Sequence, residues 1–279
     1  DINPTNGDPT NATIVPANTS YTWTVAANDD VIGEADQILS LTNISQTLVN
    51  VSNDPQDVVY TITPLSLLGC EGPTFELTVT VEPRPIILDK TDGICSGETF
   101  IVDPFDNAPI EIVPTNTQYT WTVVPAADNV FITGFSDVTV PTAPISQTLV
   151  NLSDDVRVIT YILTPISGTC EGLPFEVEIT ISPSPFVEDV VVTPICSGDT
   201  FIVAPTTGFP SPNNVVPIGT TFTWTVNDNP DVEGESDEID PQTNISQTLI
   251  NTSSTVQTIE YTVTPLSVGC AGVTFQVLV

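Results

Sequence analysis

Eight residues, NISQTLVN, occupy positions 43 to 50; they return as PISQTLVN at 144 to 151 and as NISQTLIN at 244 to 251, offsets of 101 and then 100 positions. A catalytic motif is seldom needed in triplicate, whereas a stacked structural unit must be rewritten for every copy, so this recurrence constrains the fold before any other feature. Further landmarks keep the same order. YTWTV at 21–25 becomes YTWTV at 119–123 and FTWTV at 222–226. Tyr60 precedes TITP, Tyr161 precedes ILTP and Tyr261 precedes TVTP. ICSGETFIV at 94–102 matches ICSGDTFIV at 195–203, and the strands TFELTVTV, PFEVEITI and TFQVLV begin at 74, 174 and 274.

The repeat divides the chain into units 1–85, 86–185 and 186–279. The first copy has no ICSG segment, whose place by spacing falls before Asp1, and the third stops before the counterpart of residues 80–83. The spacing therefore predicts further copies on either side, with any targeting signal or anchor outside this stretch. Between units lie EPRP at 82–85 and SPSP at 182–185. Paired prolines fix φ and favour a stiff, extended path, so these segments are expected to act as short hinges with little coil.

Composition narrows the partners. The chain carries 35 acidic residues against three basic ones, Arg84, Lys90 and Arg157, for a net charge of −32. Nucleic acid is excluded as a partner because binding needs Lys and Arg to displace counterions from phosphates. Anionic membrane surfaces are excluded on the same ground. No stretch of about 20 apolar residues exists, so no helical membrane insertion is expected. A self-repelling acidic surface instead suits a long, soluble, extended molecule.

The landmark strands alternate with period two. Tyr21, Trp23 and Val25 oppose Thr22 and Thr24; Phe75, Leu77 and Val79 oppose Glu76, Thr78 and Thr80. One apolar face and one wet face are what antiparallel sheets packed on a single core require. About seven such strands per hundred residues predict an all-β chain: a tandem array of three immunoglobulin-like antiparallel β-sandwiches, joined as an elongated rod. Trp23, Trp121, Trp224, Tyr60, Tyr161 and Tyr261 are its expected core anchors. Within the triplicate phrase, Ile44 and Leu48 share a face of an extended strand. Gln46 falls on that face too, either buried and hydrogen-bonded or at the sheet rim.

Five cysteines occur, Cys70, Cys95, Cys170, Cys196 and Cys270. The periodicity allows pairing within units (Cys95–Cys170 and Cys196–Cys270) or between neighbours (Cys70–Cys95 and Cys170–Cys196). The neighbour pairs would have to span a whole last strand plus the linker, tens of ångströms at ~3.3 Å per residue. A disulfide needs Cα atoms within about 7 Å. Pairing inside each unit is therefore expected, with Cys70 left unpaired. Regular paired cysteines also imply an oxidising, extracellular location.

Little else carries chemistry. Histidine is absent, which removes the commonest base for a Ser or Cys nucleophile, and a single lysine cannot serve every unit. No catalytic residue is expected, and the chain is read as non-enzymatic. The acidic run NDNPDVEGESDEID at 227–240 is the nearest approach to a cation site, with Asp231, Glu233, Glu235 and Asp237 as candidate ligands for Ca²⁺. Only a glycine and an aspartate recur in all copies, as Gly33–Asp36, Gly134–Asp137 and Gly234–Asp237. A turn glycine with an aspartate capping local backbone is the simpler reading, so no cofactor is expected. Asn-x-Ser/Thr triplets at Asn43, Asn50, Asn151, Asn244 and Asn251 arise easily in so Asn- and Thr-rich a chain.

Taken in order, ICSGxTF, TWTV, ISQTL, Tyr-x-x-TP and GC before TF closely resemble the PKD-like repeats of giant cell-surface gliding-motility adhesins of Bacteroidota, the SprB type. The resemblance covers essentially the whole chain. It departs from the better-known PKD domain, where the Trp strand continues as WDFGDG; here each Trp continues as TV. The resemblance implies a filamentous adhesin exported by the type IX secretion route, displayed on the cell surface and moved by outer-membrane gliding machinery while gripping a substratum. Two other readings remain open. One is a glycan- or Ca²⁺-binding module, with the ligand expected in variable segments 103–118 and 204–220 near Phe105 and Phe209. The other is a spacer beside a secreted enzyme domain.

Overall fold

A computed structural model of the chain describes residues 2–5, 7 and 13–279; Asp1, the expected start of the first unit, lies outside them. The alternation of the landmark strands translates directly into layers. In the middle module the Trp strand Gln118–Val123 and the Tyr strand Arg157–Ser167 lie side by side, with Trp121 opposite Leu163 and Tyr119 opposite Pro165. The closing strand Phe175–Ser182 pairs on the other side of the Tyr strand, burying Phe175, Val177, Ile179 and Ile181 while Glu176 and Glu178 stay outside. The short strand Val138–Thr142 extends the sheet beyond the Trp strand.

One further strand completes this sheet. The leading strand Lys90–Cys95 pairs with the closing strand in parallel, Lys90 beside Val177 and Cys95 beside Ser182. The facing layer is smaller. It pairs Thr99–Val102 with Ile145–Thr148, and Ile132–Thr133 with Val150–Asn151. The triplicate phrase is thus two short strands rather than one. Ile145 opens the first, Val150–Asn151 forms the second, and Leu149 between them is fully buried. The core gathers Phe100, Tyr119, Trp121, Ile145, Leu149, Tyr161 and the inward residues of the closing strand.

The third module repeats this plan. Its sheet runs Val190–Val191, Phe275–Leu278, Glu260–Ser267, Thr221–Val226 and Glu238–Gln242, again with the first pair parallel. The first module is narrower. Its sheet contains Gln37–Leu41, Ser20–Val25, Gln56–Leu65 and Phe75–Val81, and the closing strand Phe75–Val81 forms its edge. No leading strand lies there among the described residues. Ile2 alone bridges Ile44, in the position that Val102 holds against Ile145.

Candidate functional site: the junction between modules

The proline segments are not exposed hinges. Pro83, Pro85 and Ile87 are buried in alternation with exposed neighbours, and Pro183, Pro185 and Val187 are buried in alternation with half-buried or exposed ones at the next junction. Ile86 then forms a two-bond backbone bridge with Ile112 (2.9 and 2.8 Å), and Phe186 does the same with Val215 (2.8 Å each). Each linker is therefore an extended strand that leaves one module and is already packed on the next. Proline suits it because buried linker positions there need no ladder donor.

A glycine in the receiving module lets the linker approach. A Cβ at Gly172 would lie 2.4 Å from the carbonyl oxygen of Pro85, and one at Gly272 would lie 1.9 Å from that of Pro185. Both are backbone contacts, which cannot swing aside as a side-chain end can. The glycine follows the cysteine by two residues in each hairpin, so the Cys-x-Gly spacing sets this close contact.

The same junction carries the cross-link. Cys95 is bonded to Cys270, with Cα atoms 5.5 Å apart, while Cys70, Cys170 and Cys196 are free thiols. The expected bonds Cys95–Cys170 and Cys196–Cys270 are not formed, and the staple joins adjacent modules. The reason is the parallel leading strand. Cys170 sits on the hairpin that precedes the closing strand, pairing with Ser167. Cys95 is carried to the opposite end of the closing strand, beside Ser182. The eight-residue closing strand separates them by roughly 25 Å at ~3.3 Å per residue. Leaving module two at that far end, Cys95 meets the hairpin of module three, where Cys270 pairs with Ser267. The neighbouring backbone is tied down as well: Ser96 N donates to Ser182 O (2.8 Å), and Ser184 Oγ donates to Ser96 O (3.1 Å).

Each module is braced internally by one polar clamp. Tyr161 Oη donates to Gln147 Oε1 at 2.8 Å; Gln147 Nε2 donates to Ser136 O at 2.9 Å, and Trp121 Nε1 donates to that same oxygen at 2.9 Å. Tyr60, Gln46, Trp23 and Ala35 repeat the pattern, as do Tyr261, Gln247, Trp224 and Ser236. The three Trp and three Tyr side chains are all buried. The glutamine of the triplicate phrase thus ties the smaller layer to the larger one. Burial pushes the Tyr161 and Tyr261 hydroxyls well above the usual phenol range, and the nearby Glu235 carboxylate adds to the effect at Tyr261. Burial also raises Tyr119 to about 12, helped by Asp103.

The recurrent Gly–Asp pair belongs to this brace. Asp36, Asp137 and Asp237 each accept a hydrogen bond at 2.8 Å from the last backbone N–H of the Trp strand, at Val25, Val123 and Val226. Gly134 holds φ at +94°, and a Cβ there would meet Thr148 O at 2.0 Å. Glycine is required by conformation and by space together. The Ca²⁺ candidates are accordingly spread over separate tasks. Asp237 caps the Trp strand, Glu235 Oε1 accepts from Asn229 N (3.2 Å), and Glu233 is exposed on a two-residue strand. Among the described residues, no three acidic, Cys or His side chains are placed to hold a metal ion.

The asparagine triplets divide in the same way. Asn151 is buried, its amide donating to Asp155 O (2.7 Å) and Ile181 O (3.1 Å) while its oxygen accepts from Ser153. Asn50 makes the equivalent bonds to Asp54 O and Val81 O. These amides build a turn and have no free N–H to modify. The variable segments place Phe105 and Phe209 in solvent, 72% and 66% exposed. In the same variable segment as Phe105, Glu111 is buried and salt-bridged to Lys90, and it also accepts from Leu88 N at 3.0 Å. The hydrogen bond from Lys90 holds the Glu111 carboxyl below the usual range against the opposing effect of burial. Sequence reasoning named neither this pair nor Gly172 and Gly272; the signal for the glycines was their constant offset from the hairpin cysteine.

No curated protein sequence matches the chain. Among solved structures, 163 chains match. Human CDH23 EC21-23 aligns over 93% of this chain and 88% of its own, with 11% identity and a TM-score of 0.33. Chicken CNTN1 FN1-FN3 domains align over 94% and 88%, with 11% identity and a TM-score of 0.35. Protocadherin Gamma B2 extracellular cadherin domains 1-5 align over 91% of this chain and 51% of that one, with 13% identity and a TM-score of 0.32. The profile of the PKD-like domain matches three times, over residues 5–85, 92–185 and 193–279. With the repeated sandwich and its recurrent clamp behind that match, the chain belongs to the PKD-like domain family as three tandem copies.

Proposed function

We propose that this chain is a non-enzymatic structural and adhesive segment of a long extracellular surface filament, of the type that gliding Bacteroidota use to attach to and move over surfaces. The observation that carries the reading is the junction. A buried proline strand and the Cys95–Cys270 bond couple one module to the next. A spacer that needed only reach would gain nothing from such rigid coupling, whereas a filament that transmits traction depends on it. Disulfide formation fits an oxidising site outside the cytoplasm. The acidic surface, net charge −32, favours an extended and soluble rod. Its partners in this reading are further copies of the repeat, a surface polysaccharide or other substratum, and the outer-membrane gliding machinery.

The test is twofold. Small-angle scattering should give a rod near 120 Å long, at roughly 40 Å per sandwich. Added protein, or antibody against it, should reduce attachment and gliding of cells that display the repeat. A compact particle, or unaltered attachment with full surface coverage by antibody, would refute the reading. A second reading draws on exposed Phe105 and Phe209, which occupy equivalent loops and could stack on sugar rings. It requires that glycan binding be lost in a Phe105→Ala/Phe209→Ala variant.

A further inference from the structure

The serine that faces the bonded cysteine has no hydrogen bond to make while the bond is closed. Every hairpin sets a serine across from its cysteine: Ser66 N donates to Cys70 O (2.9 Å), Ser167 pairs with Cys170, and Ser267 pairs with Cys270. Cross-strand partners of this kind hold their Cβ atoms about 5 Å apart, so hydroxyl and sulfur are neighbours. The first hairpin shows the reach of the side chain, since Ser66 Oγ accepts from Cys70 N at 3.1 Å. At the cross-linked junction Ser267 is 1% exposed and Cys270 2% exposed. The Ser267 hydroxyl there is buried with no hydrogen-bond partner among the described residues. An unpaired buried hydroxyl destabilises the state that contains it, and native structures keep few of them.

Opening the bond gives that hydroxyl a partner. Cleavage leaves a thiolate on Cys270, and a thiolate is held by a nearby cation or hydrogen-bond donor. Module three, residues 186–279, contains no Lys, Arg or His. Of the basic residues elsewhere, Lys90 is tied to Glu111, and Arg157 to Asp155 and the Phe131 ring. The uncharged O–H of Ser267 is a donor already in place. Access to the bond is one-sided as well. Cys95 is half-buried, whereas Cys270 is closed off. In thiol–disulfide exchange the sulfur that can be reached is attacked, and the other one leaves.

We propose that Ser267 is a positioning residue that makes the Cys95–Cys270 bond a reversible latch between modules two and three, opened by a thiol reductant that attacks Cys95 and releases Cys270. The attacking thiolate forms a mixed disulfide with Cys95 Sγ. The Cys95–Cys270 bond breaks, and its electron pair departs on Cys270 Sγ, which accepts a hydrogen bond from Ser267 Oγ. A second thiolate then attacks the reductant's own sulfur in the mixed disulfide and frees Cys95. Two reductant thiols are thereby oxidised to one disulfide, and their two protons end on the two cysteines. Closing runs the same path in reverse, with Cys270 as the nucleophile. The latch rests on the geometry of the junction and stands whether or not the adhesive reading does.

The experiment uses the full chain carrying Cys70→Ser, Cys170→Ser and Cys196→Ser, equilibrated in glutathione buffers and quenched with acid. Mass spectrometry should find the mixed disulfide on Cys95 at least tenfold more often than on Cys270. Ser267→Ala removes both the unpaired hydroxyl of the closed state and the donor of the open one. Half-reduction should then need a ratio of squared reduced to oxidised glutathione at least tenfold higher. Ser267→Thr keeps the hydroxyl and should restore the parent ratio. In the reduced chain, the pH midpoint of Cys270 alkylation should move upward in Ser267→Ala while that of Cys95 stays in place. A serine that merely fills space would leave both midpoints unmoved. Glutathione found chiefly on Cys270, an unchanged reduction ratio, or an unmoved Cys270 profile would each overturn the proposal.

Discussion

Replacing Gln147 by Met keeps the length of the side chain and removes its polar end. The Tyr161 hydroxyl, on a residue with no exposed surface, then loses the acceptor it meets at 2.8 Å. Ser136, which also bonds to Gln147, is exposed and can turn to water. The cost is therefore that of one orphaned buried hydroxyl plus one lost bond, about 2–3 kcal/mol. Tyr161→Phe removes the hydroxyl itself and should cost about 1 kcal/mol, because Gln147 keeps its bonds to Ser136. The double variant should cost about 2 kcal/mol rather than the sum, a coupling of about 1–2 kcal/mol. Native-state hydrogen exchange on the amides of Arg157–Ser167 reads this module apart from its neighbours. A loss of 2 kcal/mol appears there as roughly 30-fold faster exchange at ~1.4 kcal/mol per decade. Strictly additive costs in the double variant, or a Gln147→Met chain as protected as the parent, would refute the clamp as the link between the layers.

Gly272→Ala should force the Pro185 strand away from the hairpin and lower the oxidised fraction of Cys95–Cys270, read by alkylation and mass spectrometry; Gly93→Ala, whose Cβ would meet nothing closer than 3.9 Å, should leave it unchanged. Tyr119, Tyr161 and Tyr261 have folded pKa values raised above 10.0, so the stability they contribute is complete below the ordinary phenol range and is lost as pH climbs through 10 toward 12 and beyond. Urea midpoints measured between pH 9 and 12 should fall, and a Tyr261→Phe variant should flatten the decline. Glu111 has a depressed pKa, so its contribution is present above 4.5 and disappears as pH falls below that value. Amide protection at Leu88 and Ile112 should drop between pH 6 and 3 in the parent chain and show no such step in Lys90→Met.

The layering could be read from the sequence because period-two burial is local: Phe175, Val177, Ile179 and Ile181 announce their face without reference to any other strand, whereas the order of the strands in each sheet could not. The cysteine pairing could not, because it depends on strand direction. An antiparallel leading strand would have left Cys95 near its own hairpin; a parallel one delivers it to the next module, and alternation is blind to that choice. The linker was legible and misjudged. Pro83, Pro85 and Ile87 already alternate with Arg84 and Ile86, a strand pattern hidden by the expectation that prolines mark an exposed hinge. Gln46, Gln147 and Gln247 could be recognised as recurrent but not placed, since their partners include backbone oxygens of a distant turn. The acidic run of module three offered both a cation loop and backbone caps to the sequence reading, and Glu235 and Asp237 cap backbone.

A bond between residues 175 positions apart also alters what a tensile load can do to this chain. Stretching it from its two ends pulls across sulfur, so the segment between Cys95 and Cys270 is bypassed and cannot be drawn out. At about 3.4 Å per extended residue, roughly 600 Å of contour is withheld until a reductant cuts the bond. In the oxidised chain only the stretch ahead of Cys95 and the short end after Cys270 can lengthen, and the redox state of the surroundings decides whether the two modules between those cysteines can follow.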